Sequence, residues 1–317
     1  MSVSFWQSVA SGGLHVPSSR SLDDMTAELG DMLGSTDPVV RTEIAHPILS
    51  AWIARGYYDH LLARLANGLL SLVEEGVGGD EDDLVFQRSW AAAVMAEVVE
   101  RDNRTQSVDG RTLLSWGDKV ATWMLDERDL RDFVPGKGQA QALVHGADVL
   151  AALARSSRIK APGLVLLVEV VAARLLEPTT PFLVAGEPDR LARTTMEALR
   201  RELLTLDDLE PFLDSLSRHA SPDPDPVTVE HPYRVSANVQ AFLRALHLQV
   251  LLSPDRPGLR SDLLLTLTER LQASNAAYLR PGTGPVEPEP IVSGEVDEVE
   301  PDAASYDESS ESMDDRL

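Results

Sequence analysis

Apolar residues return at three- and four-residue spacing through most of this chain. Leu61, Leu62, Leu65, Leu69, Leu72 and Val73 fall on one helical face. So do Leu164, Leu167, Val168, Val171 and Leu175, and again Phe242, Ala245, Leu248 and Leu252. This spacing follows the period of a helix and not the alternation of a strand. Short β-branched runs sit only inside the longer periods. Breakers divide the segments: Gly76-Val77-Gly78-Gly79, Pro135-Gly136, Glu177-Pro178, and the proline run from Ser221 to Pro226. The body is expected to be all-α.

Helix openings recur. Asp37-Pro38-Val39-Val40-Arg41 suits an N-cap followed by a first-turn proline, with Ala45 and Leu49 on the apolar face. A related opening, Asp83-Leu84-Val85-Phe86-Gln87-Arg88 with Ala92, follows about 47 residues on. Lys137 opens a third helix in this reading. Glu187-Pro188-Asp189-Arg190, with Arg193, opens a fourth, and Val235 to Leu252 forms a fifth. Partner helices are expected at about 57–75, 112–127, 162–177, 206–220 and 259–279. The spacing resembles that of HEAT-type repeats, whose period is about 40–47 residues. The expected architecture is a HEAT-like stack of antiparallel helix pairs, and a closed α/α toroid is the alternative arrangement.

Charge divides the chain further. The net charge of the 317 residues is −23. The segment from Gly284 to Leu317 holds twelve Asp or Glu against Arg316 alone, about half of that charge. It is rich in Pro and Ser and poor in large apolar side chains, so it cannot bury enough surface to offset ordering entropy. The expected organisation is a helical-repeat body over 1–283 and a disordered acidic tail over 284–317. The tail serves solubility or docks a basic partner. A field of this sign repels phosphate backbones and argues against nucleic acid as a partner.

Cysteine is absent, which excludes disulfides, thiolate metal sites and a cysteine nucleophile. Met1 to Gly13 has no Lys or Arg before its short apolar patch, unlike a secretory signal. The most apolar stretch, Ala161 to Leu176, carries Glu169 and Arg174 and lies between Pro162 and Pro178. It is too short to span a membrane. A cytoplasmic protein without a membrane partner is the expectation.

Candidate chemistry is sparse. Phe133-Val134-Pro135-Gly136-Lys137-Gly138-Gln139 resembles a phosphate loop but lacks the Gly-Lys-Ser/Thr ending that such loops need. A lysine ahead of a helix N-terminus still favours an anion, and an ordinary glycine-rich loop is the plainer reading. The next helix presents Gln141, His145 and Asp148 in one stripe, with Gly146 allowing close approach of a backbone or ligand. An imidazole beside a carboxylate can orient a general base, and a solvated or satisfied histidine is the alternative. Glu43-x-x-His46 has the spacing of half a di-iron site, but no second such pair exists, so no metal or other cofactor is expected. Trp90, Trp116 and Trp123 lie near charged residues and form either a binding face or core. Asn238, with Gln240, Arg244 and His247, forms a second polar stripe that would share a concave groove with the first.

Several stretches resemble a bacterial helical family catalogued as domain of unknown function 2785. They are Leu33-Gly34-Ser35-Thr36-Asp37 leading to Ile48-Leu49-Ser50-Ala51-Trp52-Ile53, and Val85-Phe86-Gln87-Arg88-Ser89 leading to Glu100-Arg101-Asp102-Asn103. Further on come Trp116-Gly117-Asp118, the run from Pro135 to Asp148, Ala185-Gly186-Glu187, and Asn238 with Ala241 to Leu246. The family stretch after Lys-Gly continues with Trp, Ala and His before a second His. Here Gln139-Ala140-Gln141 stand in its place and only His145 is kept. The resemblance implies a helical fold and no particular chemistry. The sequence thus supports a helical-repeat binding or scaffold protein whose partner is another protein or a small anionic ligand. The alternative is an enzyme or small-anion binder that uses Lys137, His145, Asp148, Asn238 and Arg244.

Overall fold

The computed structural model describes residues 3–79, 81–222 and 231–280. The proposed acidic tail, 284–317, lies outside the described residues. The chain divides into a unit of residues 1–279 and a unit of residues 280–317, and the first is described here. Its helices are α1 (Val3–Ser11), α2 (Leu22–Leu33), a π-helix (Val39–Ala45) continuing into α3 (His46–Ala54), α4 (Leu62–Glu74), α5 (Leu84–Thr105) and α6 (Gly110–Asp126). A hairpin of β1 (Phe133–Val134) and β2 (Gly138–Gln139) follows. Then come α7 (Ala142–Arg155), α8 (Ala161–Leu176), α9 (Glu187–Leu199), α10 (Leu206–Arg218), α11 (Arg234–Leu252), α12 (Arg260–Ser274) and α13 (Ala276–Leu279). The body is all-α apart from the hairpin.

Local chemistry sets many of these ends. Ser21 caps α2 by accepting from the Asp24 amide, and Asp109 caps α6 by accepting from the Arg111 and Thr112 amides. Thr205 and Asp208 close a capping box on α10. Proline occupies the first turn of α3, α8 and α9, where the missing amide proton costs no helical bond. Asp37 accepts from the Val39 amide, as its place before Pro38 suggested.

The helices form two rows. In one, α3, α5, α7, α9 and α11 pack successively against each other; in the other, α4, α6, α8, α10 and α12 do the same. Apolar side chains from both rows meet between them. Small residues permit the closest approaches. Gly146 of α7 is an instance: a β-carbon there would lie 2.7 Å from Cγ of Met124. The apolar stripe of α8 is buried throughout, and Trp116 and Trp123 are core residues. In α11 the stripe divides: Phe242 and Ala245 are buried, but Leu248 and Leu252 are exposed. Among the described residues the row ends at α11.

Two expectations change. Lys137 does not open a helix. Gly136 and Gly138 both take positive φ (78° and 85°), which turns the chain into the hairpin, and α7 begins only at Ala142. The other change is the π-helix. The His46 amide reaches back five residues to the Arg41 carbonyl, and Arg41 itself is fully buried.

The end of α6 is held by buried charge. Arg88 donates through Nε to Glu127 Oε2 at 2.6 Å and through Nη2 to Oε1 at 3.0 Å. Glu127 also accepts from Trp123 Nε1 and from the Asp129 amide, both at 3.0 Å. Arg174 donates to the carbonyls of Met124, Leu125 and Glu127. Breaking such a pair leaves an uncompensated buried charge, so Glu127→Ala should lower unfolding free energy by about 3–5 kcal/mol. Urea denaturation measures this; a loss below about 1 kcal/mol would be the value of a solvated pair instead.

Candidate functional site

The five residues singled out in the sequence do not converge on one pocket. Lys137 lies in the hairpin turn and donates to both carboxylate oxygens of Asp83, at 2.7 Å each, where α5 begins. Asn238 is buried: its Oδ1 accepts from the Leu183 amide at 2.9 Å and its Nδ2 donates to the Pro181 carbonyl at 2.7 Å. It therefore anchors the loop between α8 and α9. Arg244 points toward the end of α12, donating to Asn275 Oδ1 at 2.9 Å and to Gln240. His145 and Asp148 share the α7 face that meets α5 and α9, and α9 lies between α7 and α11 in the row.

Around His145 the structure assembles residues from three helices. The Trp90 ring of α5 lies between two imidazoles, 5.3 Å from His46 of α3 and 5.0 Å from His145. His46 Nε2 pairs with Glu97 Oε1 at 3.2 Å. His145 Nε2 is buried with no hydrogen-bond partner, as is Glu97 Oε2. Burial, helped by the nearby His46 and Arg190 charges, pushes the His145 pKa down to about 3. The imidazole is thus neutral at physiological pH. Gly146 is filled by Met124 rather than open to a ligand.

Asp148 does not pair with His145. Arg190 Nη1 lies 2.9 Å from Asp148 Oδ1 and Arg193 Nη1 lies 3.6 Å from the same oxygen. Both arginines come from α9, three residues apart and so on one face. Burial raises the Asp148 pKa, while Arg190 and Arg193 act to lower it. The two arginine side chains are 44% and 46% exposed, so two cations at the surface converge on one carboxylate. The polar row continues along the same helices. Arg155 of α7 pairs with Glu100 of α5 and Glu197 of α9, and Arg200 pairs with Glu197. Sequence reasoning placed Arg190 and Arg193 only as a helix opening. Their signal was the polar stripe Arg190, Arg193, Glu197, but its partner helix was not legible.

These features define a two-row helical protein with a charged, histidine- and tryptophan-bearing face on one row. Residues 74–248 match the family model described as "Protein of unknown function (DUF2785)", and the chain belongs to that family. The match covers α5 to most of α11. The resembling stretches at Leu33–Asp37 and Ile48–Ile53 lie before it, as does His46. No curated protein and no solved structure matches the chain. No helix among the described residues is long and apolar enough to cross a membrane.

A histidine with a depressed native pKa links folding to pH. Between the native value of about 3 and the ordinary value of 6.5, the unfolded chain holds the extra proton. His145 thus contributes stability above pH 6.5 that is lost as pH falls from there toward about 3. The expected slope is about 1.4 kcal/mol per pH unit. Unfolding free energy should therefore fall more steeply from pH 6.5 to 4.5 in the wild type than in His145→Gln, as urea titrations at each pH would show. Equal slopes would mean that the native imidazole takes up its proton normally.

Proposed function

We propose that this chain is a HEAT-type helical-repeat binding protein of the cytoplasm, and that its α5–α7–α9 face holds an anionic group of its ligand between Arg190 and Arg193. The successive packing of α3, α5, α7, α9 and α11 supports an open stack, because a closed toroid would bring the ends of the row into extensive contact. The observation that carries the ligand reading is the convergence of two half-exposed arginine side chains on the single carboxylate of Asp148. Guanidinium forks match carboxylate and phosphate geometry, and a local excess of positive charge stands out on a chain of net charge −23.

The enzyme alternative needs an imidazole oriented by a carboxylate. Asp148 is committed to the arginines and His145 is buried and neutral, so binding is the better-supported reading. In this reading Lys137, Asn238 and Arg244 hold the hairpin, the α8–α9 loop and the end of α12 in place.

Inorganic phosphate serves as the probe. Titrating it into isotope-labelled protein should shift amide signals of α7 and α9 around Asp148, Arg190 and Arg193. The Arg190→Ala/Arg193→Ala variant should bind about tenfold more weakly, a loss of about 1.4 kcal/mol, while circular dichroism shows its helical fold retained. Shifts centred on Lys137 or Arg244, or binding that survives the double substitution, would overturn this assignment.

A further inference from the structure

A slot of about 300 Å³ lies between α2 and α4, away from the charged face. Its floor is apolar and buried: Leu49 of α3 and Leu65 and Leu69 of α4. Two glycines line it, Gly30 on α2 and Gly68 on α4. A β-carbon at Gly30 would come within 3.4 Å of Leu72 Cδ1, whereas one at Gly68 would meet nothing within 4 Å. Gly68 sits mid-helix, where alanine would be about 1 kcal/mol more favourable. No steric demand in the fold explains a glycine there; a group entering the slot would.

Charge at the rim selects among apolar ligands. Arg64 Nη1 is tied to Asp23 Oδ2 at 3.0 Å, so these two neutralise each other. Asp31, also lining the slot and exposed, has no ion-pair partner among the described residues. The rim therefore carries one uncompensated negative charge on a strongly acidic chain. Tyr58, hydrogen-bonded to Thr26 at 2.7 Å, adds a polar edge to a mostly aliphatic lining. Apolar slots with a few placed polar groups are the usual form of small-molecule sites.

We propose that this slot binds an aliphatic monoamine, its alkyl chain lying over Leu49, Leu65 and Leu69 between the two glycines and its ammonium group meeting Asp31. The site is independent of the Arg190–Arg193 face. Its residues precede Glu74, outside the span that matches the family model, so the slot belongs to the N-terminal part of this chain.

The test uses octylamine with the full chain, followed by calorimetric titration at amine concentrations where it stays monomeric. One equivalent should bind saturably. Gly68→Leu, which fills the slot, should weaken binding at least about tenfold, and Asp31→Asn should weaken it several-fold. Gly68→Ala is a milder companion that should fold at least as well as wild type and bind less tightly than it. Octanoate and 1-octanol of matched chain length should bind more weakly than octylamine. Absence of octylamine binding, unchanged affinity in both Gly68→Leu and Asp31→Asn, or octanoate or octanol binding as tightly as the amine would each overturn the proposal.

Discussion

Arg41 is the residue on which the placement of the charged face depends. It is fully buried, its guanidinium carbon 4.1 Å from the centre of the Phe86 ring and 5.8 Å from that of Trp90. Its Nη2 donates to the carbonyls of Lys137 at 2.7 Å and Gln139 at 3.2 Å, and its Nη1 donates to the carbonyl of Ser35. A buried cation is costly unless hydrogen-bonded, and burial lowers its pKa accordingly. The hairpin carbonyls and aromatic faces offset that cost. Trp90 Nε1 and Ser89 Oγ donate to the carbonyls of Gln139 and Ala140 in turn. The backbone of a loop is thereby fastened to α5 and to the π-helix, and α7 starts from a defined point.

That fastening explains the rest of the face. With α7 started at Ala142, His145 falls against Trp90 and Asp148 falls opposite α9. The π-helix that carries Arg41 also delivers His46 to the same indole. Behind this face, alanines and Gly146 let α7 approach α5 and α6 closely, and Arg88, Glu127 and Arg174 close the polar groups at the end of α6. Buried arginines thus recur where one helix or loop ends against another, because a guanidinium can satisfy several carbonyls at once.

Much of the helix order was legible because each helix writes its own periodicity. The stripe Leu164 to Leu175 needs no knowledge of its neighbours to be read. The hairpin was not legible in this way. Pro135-Gly136-Lys137-Gly138 reads locally as a loop ahead of a helix, and its pairing is stabilised by Arg41, 96 residues before Lys137. The partners of Asn238 and Arg244 were not legible either. Asn238 bonds the backbone of the loop between α8 and α9 and Arg244 bonds Asn275 at the end of α12, contacts that no periodicity within α11 announces.

The sequence by itself determined the all-α class, the approximate places of most helices and the stripe containing His145 and Asp148, since hydrophobic period, caps and breakers act over a few residues. Tertiary structure alone decided the partners of that stripe: Trp90 and His46 beside the imidazole, Arg190 and Arg193 on the carboxylate. Those contacts join residues about 40–55 positions apart. They depend on how the helices of one row slide and rotate against each other, which small-residue packing and the buried Arg41 contacts set together and which no single segment encodes.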